Sequence, residues 1–335
     1  MSQVKVLVSA DIHLGRVSSR VASGDGSDLS ARGAWERIVE LAVREKVDLV
    51  CLAGDVADES NRFWEALGPL EKGLRTLGEA GITTLAVSGN HDHEALPRLA
   101  DQLESDRFQL LGRGGKWERY TYTRDDAPLL HVDGWSFPRD RVRSSPVDSY
   151  EVSRDSKTPT LAMVHGDLDV ADSVYAPLSR EELRAKPVAG WLLGHIHVPM
   201  SDAPEGRPFI TYPGSPQSLD PGERGVHGVV LVDFEHGRCV GMRTLPVSTV
   251  RYDHLDVDVA GVGDLEDLTS RVRGGVQAFA GEASREADDG LEHLVLRLTL
   301  HGQTSIAAEL AAEAESIRRD FELEASGVRC VIDDV

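Results

Sequence analysis

Five short apolar runs in this chain are each followed at once by a polar cluster, and that pairing constrains the fold more than any other feature. VKVLVS (4–9) leads into DIH (11–13), VDLVCLA (47–53) into GD (54–55), and ITTLAVS (82–88) into GNHDH (89–93). TPTLAMV (158–164) leads into HGD (165–167), and GWLL (190–193) into GHIH (194–197). The runs are β-rich and nearly continuous in apolarity, the pattern of strands covered on both faces. Helical stripes lie between the first three: Ala34, Trp35, Ile38, Leu41 and Ala42, then Phe63, Leu67, Leu70, Leu74 and Leu77. Alternating strand and helix build βαβ units and an α/β fold. In open sheets of that kind ligands gather beyond the carboxyl ends of the strands, so five distant clusters can meet at one place. Later runs, FITYP, GVVLVDFE and CVGMRTL, read as hairpin strands.

The pattern changes near residue 247. Leu255, Val257 and Val259 alternate with polar neighbours, Leu265, Leu268, Val272, Val276 and Phe279 form a helical stripe, and Leu294 to Leu300 alternate again. A second stripe (Ile306, Leu310, Ile317) and a closing strand (Val328, Cys330, Ile332) complete a small β-α-β-α-β module. This predicts two domains, 1–246 and 247–335. Two polar stretches, 15–30 and 138–158, read as long loops, which in compact domains are often functional.

Three scattered cysteines, Cys51, Cys239 and Cys330, give neither a disulfide framework nor a CxxC zinc pattern, so a reducing, cytoplasmic compartment is expected. No leader pattern precedes the first strand and no apolar run approaches 18 residues, so no membrane association is expected. The net charge of −20 speaks against the basic footprint of a nucleic-acid binder. It is uneven: residues 246–335 carry 19 acidic against 8 basic side chains. Bound cations or a local patch can override such a balance.

The polar clusters supply metal donors. Asp11, His13, Asp55, Asn90, His165, His195 and His197 offer oxygen and imidazole with no thiolate, a mix suited to Mn²⁺, Fe or Zn²⁺. Seven donors are too many for one tetrahedral ion, so two are expected. Two such cations can clamp a phosphate and activate water for in-line attack. Asp11 and His13, two residues apart, are expected on one side of an extended chain, and His195 and His197 likewise. His91 is left over from ligation and is free to protonate a leaving oxygen, with Asp92 orienting it by a hydrogen bond. A lone DxH or HxH is usually nothing, and GD alone is a turn; the weight lies in all five clusters standing at strand ends. His93 reads as a solvated loop residue and Asp167 as structural. Arg139, Arg141 and Arg143 are either a solvated loop or a grip on substrate phosphate.

The series DIH, GD, GNHD, H, GHIH over residues 11–197 resembles the calcineurin-like metallophosphoesterase superfamily, and within it the SbcD-type DNA-repair exonucleases of the YhaO-like branch. The narrower likeness adds AGDVAD (53–58), YPGSPQSLDPGERGVHG (212–228) and LPVSTVRYDHLDVD (245–258). The resemblance implies two facing mixed sheets flanked by helices, with a small C-terminal α/β capping domain. It implies that Asp11, His13 and His197 hold one metal, that Asn90, His165 and His195 hold the other, and that Asp55 bridges. It implies manganese, action on DNA, His91 at the scissile phosphate, and an SMC-like coiled-coil ATPase as partner through the cap. The same habit and the Leu67, Leu70, Leu74 and Leu77 stripe point to a homodimer through helices near 62–79 and 94–103, or else the stripe simply packs on the sheet. The competing functions are a phosphoesterase for nucleotides or nucleotide-linked molecules, which the acidity favours, and a non-catalytic scaffold, which would be expected to have lost ligands.

Overall fold

The computed structural model describes residues 3–21, 28–58, 63–103, 105–151, 158–170, 172–288 and 290–335. Parts of both predicted loops, 22–27 and 152–157, lie outside the described residues. The chain divides into two compact units, residues 1–16, 30–216 and 228–245 in the first and 17–29, 217–227 and 246–335 in the second.

In the first unit strand and helix alternate from the start: β1 (Gln3–Ser9), α1 (Ala31–Glu45), β2 (Leu49–Ala53), α2 (Phe63–Glu79), β3 (Thr83–Val87), α3 (Ala95–Gln102) and β4 (Phe108–Leu110). Strands β1 to β4 pair in parallel in that order. Ser30 starts α1 by accepting the Gly33 amide on its hydroxyl at 3.1 Å, which satisfies one of the orphan donors of the first turn. Lys46 ends the helix in a left-handed conformation, φ 53°. The indole of Trp35 in α1 donates to Pro69 O in α2 at 2.9 Å, and a Cβ at Gly73 would strike that ring, so only glycine lets the two helices close.

A second sheet follows, from β5 (Glu118–Arg124), β6 (Ala127–Trp135), β7 (Thr160–His165), α4 (Arg180–Ala185), β8 (Gly190–Gly194), β9 (Met200–Asp202) and β10 (Phe209–Tyr212). Its order is β5-β6-β7-β8-β10-β9, with β6, β7, β8 and β10 parallel and β5 and β9 antiparallel at the edges. The β5–β6 pair carries no strong alternation of apolar residues and has no counterpart in the sequence reading. FITY (β10) does form a hairpin with β9, but its other edge joins β8 in parallel. β11 (Gly228–Glu235) returns to the first sheet antiparallel to β1, with β12 (Arg238–Pro246) beyond it. The two mixed sheets share one core: Val6, Val8, Cys51 and Leu85 from the first meet Val132, Leu161, Met163 and Leu192 from the second. Burying each such side chain is worth roughly 1.5–3 kcal/mol, so the facing of the sheets is firmly set.

The leucine stripe of α2 is spent inside this unit. Leu70, Leu74 and Leu77 are buried, while the neighbouring Trp64 stands 77% exposed. Three of the four leucines therefore pack within the chain, and Leu67 is half-buried.

The second unit contains β13 (Val250–Asp258), α5 (Leu265–Glu286), β14 (His293–His301), α6 (Ala307–Asp320), β15 (Glu322–Ala325) and β16 (Val328–Asp334). The sheet order is β13-β14-β16-β15, with the first three parallel and β15 antiparallel to β16. The expected β-α-β-α-β module thus gains one strand, because 322–334 folds as a hairpin. Leu255, Val257, Leu294, Leu296, Cys330 and Ile332 pack with Leu268, Val272 and Val276 of α5 on one face of the sheet. Within the same unit, Ser18, Gln217, Ser248 and Thr249 form a buried polar network joining three distant segments, with Gln217 Nε2 donating to Ser18 Oγ at 3.1 Å. Among the described residues no helix is long and apolar enough to cross a membrane.

Candidate metal centre

The loops after β1, β2, β3, β7 and β8 deliver the site. The amides of Asp11 and His13 donate to Gly54 O and Asp55 O, each at 3.0 Å, stitching the first two loops edge to edge. The extended geometry expected for Asp11 and His13 is not what the chain adopts. Both take left-handed backbone with φ 51°, as does Asp55, and His195 has φ 102°. Such conformations cost a non-glycine residue roughly 1–2 kcal/mol and persist only where the surroundings fix them. They turn the chain sharply at the strand ends, where extension would have carried the side chains past one another. Gly54, at φ 94°, and Gly89 permit close approaches, since a Cβ would strike the His165 ring from the first and the Asp55 carboxylate from the second.

Asp55 lies at the middle. Its Oδ2 is 3.2 Å from His165 Nε2 and 3.9 Å from His13 Nε2, and its Oδ1 accepts the His91 amide at 3.0 Å. On one side, His13 Nε2 and His197 Nε2 stand 3.1 Å apart, and Asp11 Oδ1 is 4.0 Å from His197 Nε2. On the other, Asn90 Oδ1 is 3.1 Å from both His165 Nε2 and His195 Nδ1. The carboxylate of Asp11 also accepts the His195 amide at 3.0 and 3.1 Å. Among the described residues, three groups of side chains could hold a metal ion: Asp11, His13 and His197; Asp11, Asp55 and His165; and His13, Asp58 and His91.

The donor set fits divalent cations. His165 Nδ1 is 3.0 Å from Ala53 O, a carbonyl that can only accept, so Nδ1 carries hydrogen and Nε2 is the nitrogen that faces the Asp55 and Asn90 oxygens. Lone pairs gathered at 3.1–3.2 Å repel unless a proton or a cation lies among them. Separations of this size suit ligands around an ion held at roughly 2.0–2.2 Å. The charges agree. Burial pushes the Asp11 carboxyl up. Burial also opposes ionisation of Asp55, but His165 and His13 outweigh it and hold that carboxyl well below the usual range. Burial lowers His165, yet Asp55 and Asp11 raise it to about 9, while burial and His165 push His195 down to about 4. The buried acids thus draw one positive charge onto His165, a place that a cation would take with release of the proton.

Asp92 departs from expectation. It does not serve His91: one carboxylate oxygen accepts Gly89 N at 2.7 Å, and the other accepts Val56 N at 2.7 Å and Ala57 N at 3.3 Å. Fully buried, and pushed up to about 7 by desolvation and by Asp55, it ties the loops after β2 and β3 together. His93 is likewise no solvated residue, since its Nδ1 lies 3.0 Å from Asn90 O. His91 is exposed at the rim, its ring edge-on to His13 with centroids 5.1 Å apart. Asp167, read as structural, accepts from Ser173 Oγ at 2.5 Å and also stands 3.4 Å from His195 Nε2. Arg139, Arg141 and Arg143 are exposed. Between the last two, Val142 bridges to Tyr175, whose ring lies 4.9 Å from that of His195.

Two neighbours of the site escaped the sequence reading. Asp58 Oδ1 lies 3.1 Å from His13 Nδ1; in the sequence it stood only as the last residue of AGDVAD, three after Asp55, with no role assigned. Tyr175 comes from a polar loop and left no signal.

Residues 4–199 match the family description of the calcineurin-like phosphoesterases, more than half of the chain, and the chain belongs to that family of metal-dependent hydrolases. Residues 252–335 match the middle domain of the metallophosphoesterase YhaO. The chain is 29% identical over 202 residues to the uncharacterized metallophosphoesterase YhaO of Bacillus subtilis (strain 168), covering 60% of this chain and 48% of that protein. It is 27% identical over 296 residues to the DNA double-strand break repair protein Mre11 of Methanopyrus kandleri, covering 79% and 62%. The protein of the same name from Haloferax volcanii is 29% identical over 282 residues, covering 80% and 58%. The chain therefore spans between 48% and 62% of the length of these relatives.

Proposed function

We propose that this protein is a manganese-dependent phosphodiesterase that cuts DNA, as an exonuclease or endonuclease in cytoplasmic DNA repair. The observation that carries the reading is the convergence of seven donors from five strand ends, with Asp55 Oδ2 facing both His13 and His165. Asp11, His13 and His197 would hold one ion, Asn90, His165 and His195 the other, and Asp55 both. Bound there, two divalent cations supply the charge that an in-line displacement at phosphorus needs. The chain's own residues do the rest. The amides and carbonyls between the loops fix the donors before substrate arrives. His91, at the exposed rim, is the proton donor for the leaving oxygen. Arg139, Arg141 and Arg143, exposed on the segment that bridges to Tyr175, form the contact for the phosphates of a strand.

The Mre11 relatives support DNA as the substrate and partner. We extend the reading to an SMC-like coiled-coil ATPase bound through residues 247–335, and to a homodimer through α2 and α3, where Trp64 rather than the leucine stripe would form the contact. The net charge of −20 favours the alternative of a small nucleotide substrate. End-labelled DNA incubated with Mn²⁺, with and without EDTA, tests the reading. Shortening that EDTA abolishes is expected. Intact DNA alongside hydrolysis of a p-nitrophenyl phosphodiester would transfer the protein to the small-substrate class.

A further inference from the structure

His13 has a partner behind it that none of the seven donors provides. Its Nδ1 lies 3.1 Å from Asp58 Oδ1. A carboxylate only accepts, so Nδ1 carries the hydrogen, and the ring presents the bare lone pair of Nε2 to the cluster, 3.1 Å from His197 Nε2 and 3.9 Å from Asp55 Oδ2. With the tautomer reversed, a proton would stand where an ion must bind.

Asp58 is itself firmly placed. Its amide donates to Leu14 O at 3.2 Å, Leu14 and Ala57 form a β-bridge, and the amides just before it are held by Asp92. Backbone contacts of Asp58 and of the two residues before it therefore fix the acceptor against the ring. Arg16 Nε approaches the same Oδ1 at 4.0 Å, the distance of a loose ion pair, so most of the carboxylate's charge remains directed at the imidazole.

We propose that Asp58 is a positioning residue for one of the two metal ions: it fixes the tautomer and orientation of His13, and its charge makes that imidazole the stronger donor. The ion served by Asp11, His13 and His197 depends on it. The ion served by Asn90, His165 and His195 does not, because Asp58 touches neither histidine and His165 is oriented by the carbonyl of Ala53. The inference rests on the two-ion reading of the site. A competing role is contained in the same geometry, since Asp58, His91 and His13 have donor atoms within 4.8 Å of one another. An Asp58 that worked through His91 would alter rate and leave metal binding alone.

The test is calorimetric titration of Mn²⁺ alone into the metal-free full chain, with elemental analysis of the desalted product, for wild type, Asp58→Asn, Asp58→Leu and Arg16→Gln. Wild type should take up two equivalents. Loss of an outer carboxylate of this kind weakens a site by about 10–100-fold, so Asp58→Leu should retain one tight ion and bind the other that much more weakly. Asp58→Asn keeps an acceptor without the charge and should weaken the same ion by a smaller factor. Arg16→Gln should bind as wild type does. Far-UV circular dichroism of the metal-free proteins checks folding, and if the leucine variant unfolds, the asparagine variant decides. Two ions at wild-type affinity in the folded Asp58 variants overturn the proposal, whatever happens to the rate. Equal weakening by Arg16→Gln overturns it also, by assigning the effect to the ion pair. Fewer than two ions in wild type would instead overturn the reading of the site.

Discussion

The two units use the same material differently. Both contain runs of parallel strands, β1 to β4 together with β6, β7, β8 and β10 in one, and β13, β14 and β16 in the other. In the first, the strand ends carry Asp11, His13, Asp55 and His195 in left-handed backbone. In the sheet domain of the second unit, Ser326 takes left-handed backbone before Gly327 in the hairpin between β15 and β16, where a tight turn asks for it. Strain gathered at buried polar residues marks a place where something other than folding fixes the sequence. Relaxed turns around an apolar sheet mark a scaffold. The difference assigns chemistry to the first unit and packing to the second.

The hardest blow to that contrast should fall at Asp55. Asp55→Ala removes the oxygen that faces both halves of the centre, so most bound metal and all turnover should go, while unfolding of the second unit stays unchanged. Elemental analysis showing two retained ions would break the assignment. Next in size is His91→Ala, which should keep both ions and cleave DNA about 10²–10⁴-fold more slowly, the usual worth of a general acid. A p-nitrophenyl ester, whose leaving group needs no proton, should lose much less. Equal losses on the two substrates, or lost metal, would make His91 a brace of its loop.

The converse test lies in the second unit. Leu296→Ala empties a fully buried position in the core under α5, and should cost about 2–5 kcal/mol in denaturant unfolding of that unit. Metal content and p-nitrophenyl phosphodiester turnover should not move, and a loss of either would mean that packing and chemistry are not divided as stated. The smallest effect is expected at Trp64→Ser. As an exposed side chain it should change stability by less than about 0.5 kcal/mol. Light scattering should nonetheless show the variant at monomer mass if α2 forms the dimer contact, and a wild type that is already monomeric would remove that role.

The sequence by itself determined the strands that carry the polar clusters, the helices α1 and α2, and the residue types standing at those strand ends. VKVLVS, VDLVCLA and ITTLAVS announce buried strands because hydrophobic periodicity is local, and each observed strand falls within two residues of its run. The residue types Asp, His and Asn at five strand ends pointed to hard and borderline cations, because ligand chemistry is carried by the side chain alone. What only the tertiary structure decided involves partners far apart in the chain. Asp92 faces three amides and not His91, because the loop of β2 reaches it across 35 or more residues. Leu70, Leu74 and Leu77 turned inward and Trp64 outward, a choice that helical periodicity leaves open. FITY joined the second sheet and GVVLVDFE the first, since strand pairing is non-local and an apolar run does not name its neighbour. The tautomer of His13 belongs to the same class: Asp58 fixes it from 45 residues away, through a contact that exists only once both loops have folded.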